Sequence, residues 1–205
     1  MKRVALYFGS FNPLHYGHLG VAEYVILHCD IDRFEMVLSP HNPFKDKQML
    51  QDPLQRLKAL KKAIAEFNRS LKEKIQASGA NPKCSKVTVN DIEFHLKEPL
   101  YTFNTMKELQ KRNPDTEYVI VVGADSFKIM PKWYLGEDIL KEFKVIVYPR
   151  KGYRVKTMCR KYKALYLEDA PLNDISSTQI RNGSYSLILS QMKFGIRRQK
   201  NTSIL

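Results

Sequence analysis

Four short apolar runs, with helix-like segments between them, restrict the fold of this chain more than any other feature. They are residues 4–8, 34–38, 118–123 and 143–148. The last two, YVIVVG and FKVIVY, are β-branched and nearly continuous, as strands covered on both faces are. A shorter strand fits 87–90. Helical patterns fill the intervals at 19–27, from Asp52 onward, and from Thr102 to about Arg112. Asp52-Pro53 sets an N-cap before a proline at the first helical position. Leu54, Leu57, Leu60, Ile64 and Phe67 then keep close to helical spacing, with Lys58, Lys61 and Lys62 turned outward. Residues 68–85 are mostly polar and close with Gly79, Asn81 and Pro82, which reads as a helix tail and a loop. Thr102 can cap its own helix. Such alternation predicts an α/β fold, a doubly wound parallel sheet with right-handed crossovers and helices on both faces. Ligands of these sheets gather beyond the C-terminal strand ends, here the loops 9–15, 39–47, 123–126 and 149–152.

The first of these loops carries the densest chemistry: GSFNPLHYGH, residues 9–18. Gly9 and Ser10 allow a tight exit from the strand, because glycine tolerates positive φ and leaves no Cβ in the way. Gly17 is expected to do the same where the next helix begins. His15 and His18, one helical turn apart, can face one point near the free N–H groups of the helix start. That is where anions bind, so a phosphate site is the sharp reading. The plain reading is packed or solvated histidines. A zinc site would need further ligands, and His28 and Cys29 follow no recognisable zinc spacing.

A chain of 205 residues with 43% hydrophobic content can bury a core as one domain. Its formal net charge of +13 points to anionic partners: nucleotides, nucleic acid or an acidic membrane face. The excess is concentrated. Residues 141–163 hold nine basic side chains against Glu142 alone, and 182–205 hold four with no acid. Cys29, Cys84 and Cys159 are scattered, as suits reduced thiols in a cytoplasmic enzyme. The opening apolar run meets Gly9, Ser10, Asn12 and Pro13 too soon for a signal peptide or a membrane span.

The motif GSFNPLHYGH resembles the (H/T)xGH motif of the Rossmann-like nucleotidylyltransferases. Near the other end, residues 175–181 (ISSTQIR) resemble the second motif of that superfamily, ISSTxxR. The resemblance runs from Met1 to about Asn182, implying a Rossmann-like nucleotidylyltransferase domain over 1–182 and an atypical basic C-terminal tail over 183–205. It implies that His15, His18, Lys45 and Arg181 serve catalysis, and that Gly9, Ser10, Phe11, Gly17, Asp125, Ser177 and Thr178 bind ATP. Asp125 stands in Gly123-Ala124-Asp125, similar to the superfamily's GxD motif, and Arg56 is a weaker phosphate candidate than Lys45. Ser10 and Asn12 replace residues more usual in the family, and residues 182–205 do not match its last helix.

Three further stretches are similar to nicotinate mononucleotide adenylyltransferases: Tyr101-Thr102-Phe103-Asn104-Thr105, the run 123–133 ending in the single tryptophan, and Val147-Tyr148-Pro149-Arg150. This resemblance implies that Trp133 stacks on the pyridine ring of nicotinate mononucleotide while Thr102 and the backbone around Tyr134 read its carboxylate, and that Arg150 also binds this nucleotide. The implied reaction is adenylyl transfer from ATP, with Mg²⁺, to nicotinate mononucleotide, giving deamido-NAD and pyrophosphate. Other phosphorylated acceptors, nicotinamide mononucleotide or phosphopantetheine, are the alternative; a basic nucleic-acid-binding protein is a distant one. The expected partners are the two substrates, with no nucleic acid or membrane, and a homo-oligomer stays open.

Overall fold

β1 (Lys2–Gly9) lies in the middle of the sheet, paired in parallel to β2 (Arg33–Leu38) on one side and β4 (Thr116–Gly123) on the other. The computed structural model describes residues 1–41 and 52–172. In it six parallel strands run in the order β3-β2-β1-β4-β5-β6, with β3 at Val87–Asn90, β5 at Lys144–Tyr148 and β6 at Leu165–Tyr166. Five strands match the expected runs within two residues. The two-residue β6 carries too short a pattern to be read from sequence. The order reverses direction between β1 and β4, so a crevice opens there beyond the strand ends, where such sheets bind ligands.

Strand alternation divides the core into two layers. Ala5, Tyr7, Val119 and Val121 face α1 (Tyr16–His28) and α2 (Pro53–Ser78), meeting Val25, Ile26, Leu60, Ile64 and Phe67. Val4, Leu6, Ile120 and Val122 face the opposite layer, built on α3 (Thr102–Arg112), α4 (Ala124–Ile129), α5 (Gly136–Glu142) and α6 (Lys156–Lys161). Helices therefore cover both faces, as expected of a doubly wound sheet.

Several local expectations change. α1 begins at Tyr16, because His15 supplies the cap. The expected tail of α2 after Phe67 is present and long. Buried Leu71 and partly buried Ile75 extend its apolar stripe, and the helix runs to Ser78 before Gly79 ends it at φ 68°. Asp52 caps α2 as expected, its Oδ1 accepting from the Gln55 N–H at 2.9 Å. Within that helix, however, Leu54 is exposed and Arg56 is buried. Thr102 is the first helical residue of α3 and not its cap; Tyr101 holds that place without a side-chain bond. The proposed domain boundary at 182 lies outside the described residues.

Candidate active site

The turn after β1 is strained at Phe11, not at a glycine: Phe11 has φ 41°, whereas Gly9 and Gly17 keep ordinary backbone angles. The requirement at Gly9 is room, because a Cβ there would lie 3.0 Å from the Phe11 ring. That ring is buried and packs edge-on against His18 at 5.1 Å and Tyr7 at 5.9 Å, which fixes the path of the turn. Ser10 and Asn12 are buried beside it.

The two histidines form a reciprocal cap. Nδ1 of His15 accepts from the Gly17 N–H at 3.1 Å, and Nδ1 of His18 accepts from the His15 N–H at 3.3 Å. This is a capping box with imidazoles in place of the usual hydroxyl and carboxylate. The rings lie 3.7 Å apart, centroid to centroid. A neutral imidazole that accepts at Nδ1 carries its proton on Nε2. The cap therefore selects the tautomer that offers Nε2–H as a donor. Burial, and then the Arg150 charge, push the pKa of His15 down to about 4, so it stays neutral at physiological pH.

Across the switch point, Asp125 sits in the first turn of α4, with Oδ1 3.9 Å from Nε of Arg150. Gly123 leaves room for this pair, since a Cβ there would press on Oδ1 of Asp125, which would have to turn away, and lie 3.2 Å from Nε of Arg150. Arg150, mostly buried at the end of β5, also bears on Tyr7, whose phenol is pushed up to about 12 by burial, against the pull of that guanidinium. Arg150 thus stands on the histidine side of the crevice. Arg56 has a different role from the phosphate ligand expected of it. Its guanidinium donates to the carbonyls of Ser10 (2.8 Å), Ser39 (3.0 Å) and Pro40 (2.6 Å), clamping the loops after β1 and β2 together.

A cleft of about 450 Å³ opens from Gly9 and Ser39 toward the second layer. Its far walls are Glu93, Leu100, Tyr101 and Thr102 on one side and Ser126, Ile129, Lys132, Trp133 and Tyr134 on the other. Tyr101 and Tyr134 stack at 4.4 Å with 19° between planes. The Trp133–Tyr134 turn is held by close packing behind it, because a Cβ on Gly136 would collide with the Met130 carbonyl. Thr102 opens α3 with no side chain capping its N–H groups, which leaves an anion-attracting helix start in the wall.

The structure thus brings His15, His18, Gly9, Ser10, Phe11, Gly17, Asp125 and Arg150 to one end of the crevice. Thr102, Trp133 and Tyr134 meet in the adjoining cleft, with Gly9 shared. Lys45, Ser177, Thr178 and Arg181 lie outside the described residues. Sequence reasoning missed Tyr7, Glu93 and Lys132. Tyr7 and Glu93 gave no signal because each is an ordinary residue of a strand or turn until the fold buries it beside the site.

Residues 6–183 match the family model described as cytidylyltransferase-like. A Flavobacterium johnsoniae protein named probable nicotinate-nucleotide adenylyltransferase is 34% identical over 181 residues, 88% of this chain and 85% of that protein. One of the same name from Bacteroides fragilis is 32% identical over 87% of this chain and 80% of its own length. In fold, the chain is similar to Plasmodium falciparum nicotinic acid mononucleotide adenylyltransferase complexed with NaAD, with a TM-score of 0.68 at 21% identity, covering 89% of this chain and 83% of that one. Matched over nearly its whole length, the chain belongs to the cytidylyltransferase-like nucleotidyltransferases and, within them, to the nicotinate-nucleotide adenylyltransferase family.

Proposed function

We propose that this protein transfers the adenylyl group of ATP to nicotinate mononucleotide, forming deamido-NAD and pyrophosphate in NAD biosynthesis. One observation carries the reading: Gly9, the strand end from which the turn to the histidine pair departs, also lines the cleft of Thr102, Trp133 and Tyr134, so the two stretches adjoin at one strand end. Relatives bearing that enzyme's name support the same acceptor.

The acceptor's 5′-phosphate oxygen attacks the α-phosphorus of ATP in line. The new P–O bond forms as the bond to the bridging oxygen of the β-phosphate breaks, and pyrophosphate leaves. A phosphate monoester has its second pKa near about 6 and is largely a dianion at neutral pH, so it needs no general base. The protein has to align the two phosphates and stabilise the charge that develops on the leaving group. The Nε2–H donors of His15 and His18 serve that charge. Lys45, Ser177, Thr178 and Arg181 are assigned to the triphosphate from the motifs they occupy. Asp125 is assigned to the ribose, and Trp133, with Thr102 and the Tyr134 backbone, to the pyridine ring and its carboxylate.

Mg²⁺ enters as part of the Mg-ATP substrate. The nearby carboxylate, Asp125, already faces Arg150, which suits a metal carried by the phosphates better than one caged by the protein. A cytoplasmic location fits three free cysteines, and among the described residues no helix is long and apolar enough to cross a membrane.

The test is pyrophosphate release from Mg-ATP with nicotinate mononucleotide, nicotinamide mononucleotide and phosphopantetheine in parallel. Fastest release with the acid pyridine nucleotide is expected. Release only with phosphopantetheine would move the chain to a different acceptor.

A further inference from the structure

One ionisable group in the cleft wall has no part in the chemistry above. Glu93, on a short 3-10 turn after β3, is 2% exposed and lines the cleft with Thr102 and Tyr101. Its Oε1 accepts from the Thr105 hydroxyl at 2.9 Å and the Ser39 hydroxyl also bears on the carboxyl, while its buried Oε2 lacks a partner within hydrogen-bond geometry. A buried carboxylate oxygen left unsatisfied costs stability, so its place in the wall of a substrate cleft asks for a functional reason. Thr105 stands one turn beyond Thr102 on α3, so Glu93 lies behind the helix start that attracts an anion.

We propose that Glu93 is a specificity-determining residue of the acceptor cleft: it binds a proton together with the acceptor's pyridine carboxylate and donates through Oε2 to that carboxylate. The inference rests on the acceptor assignment made above. Two carboxylates sharing a buried site cannot both stay ionised, so one takes up a proton and the pair closes as a charge-assisted hydrogen bond. A carboxamide brings no charge and gains no such linkage.

The surroundings favour the protonated form. Burial raises the pKa of Glu93, only partly opposed by the Ser39 and Thr105 hydroxyls. These hydroxyls face it from the end of β2 and from α3. The charged groups of adjoining elements are engaged elsewhere: Glu35 with Arg33 and Asn90, Asp91 with Lys61, Glu98 with His41, and Lys107 with Glu142. His95 and Lys97, beside it in sequence, are exposed. The other charged residue of the cleft lining is Lys132, on the opposite wall.

The experiment measures kcat/KM for nicotinate mononucleotide and for its amide from pH 5 to 9, in the wild type and in Glu93→Gln. The two acceptors share the 5′-phosphate, so their ratio cancels its titration. In the wild type the acid-to-amide ratio should fall by up to about tenfold per pH unit above the carboxyl's pKa. In Glu93→Gln, which keeps the shape and a donor without the titration, the ratio should be flat and close to the wild-type low-pH value. At a pH where free Glu93 is ionised, binding calorimetry in two buffers of different ionisation enthalpy should find up to about one proton taken up with the acid and none with the amide. The same pH profile in both proteins, or no proton uptake by the wild type, overturns the proposal. Absence of pyrophosphate release with either acceptor overturns the acceptor assignment itself, and the role of Glu93 falls with it.

Discussion

At the scale of the residue, His15 and His18 each use Nδ1 for structure, which leaves Nε2–H for the charge-stabilising role proposed for it. Losing the His18 ring removes both a donor to developing phosphate charge and half of the capping box. His18→Ala should therefore lower kcat by about 10²- to 10³-fold, while KM for ATP changes little. The cap it loses costs about 1 kcal/mol, which a denaturant titration at pH 7 would detect. An unchanged turnover would remove the catalytic role. His15 makes a second, thermodynamic prediction. Its folded-state pKa, about 4, lies below the ordinary imidazole value of about 6.5, so the unfolded chain takes up the proton first. Its contribution is intact above pH 6.5 and is lost as pH falls toward 4, by about 2 kcal/mol after discounting for the part of the ring that water reaches. His15→Asn keeps a capping acceptor and removes the titration. Thermal melts between pH 7 and 4 should show this part of the acid loss in the wild type and not in the variant.

At the scale of the element, the site is set by how closely backbones approach. The turn carrying Trp133 and Tyr134 sits against Gly136, where a Cβ would strike the Met130 carbonyl and could not be relieved by a side-chain rotation. Gly136→Ala should cost about 2–3 kcal/mol, the range of an overpacked core. It should also raise KM for the pyridine nucleotide more than for ATP, because the displaced turn carries the residues proposed to bind the acceptor. Gly79 provides the contrast. It has open space around it and only its φ of 68° to satisfy, so Gly79→Ala should cost about 1 kcal/mol and leave both KM values alone. Equal kinetic effects from the two substitutions would contradict the placement of the acceptor cleft.

At the scale of the whole molecule, a net charge of +13 surrounds a site whose substrates are both anionic. The field of the protein raises the encounter rate with such ligands and is screened by salt. Between about 0.1 and about 1 M salt the screening length falls from about 10 Å to about 3 Å. Over that range kcat/KM for Mg-ATP should fall by about threefold to tenfold, while the core, built on apolar packing, keeps its melting temperature. A flat salt profile would assign the basic excess, including the 141–163 stretch, to something other than substrate capture.

The sequence by itself determined five of the six strands, their parallel arrangement and the loops at their ends, because these depend on short-range signals: β-branched runs, an Asp-Pro helix start, and two histidines one turn apart. Stretches resembling a known family pointed to Trp133 and Thr102, and both line one cleft. Only the tertiary structure decided what depends on burial and on contacts between distant segments. Arg56 has the sequence of a surface helix residue and becomes the clamp on three loop carbonyls once α2 packs beside the ends of β1 and β2. Glu93 has the sequence of a polar turn residue and becomes a buried carboxyl in the acceptor cleft. Gly9 is needed for the room it leaves to the Phe11 ring, a relation fixed by packing. Local patterns set which elements form, because their energies are local; which polar groups lose water, and what they then must bind, is decided when the layers close on one another.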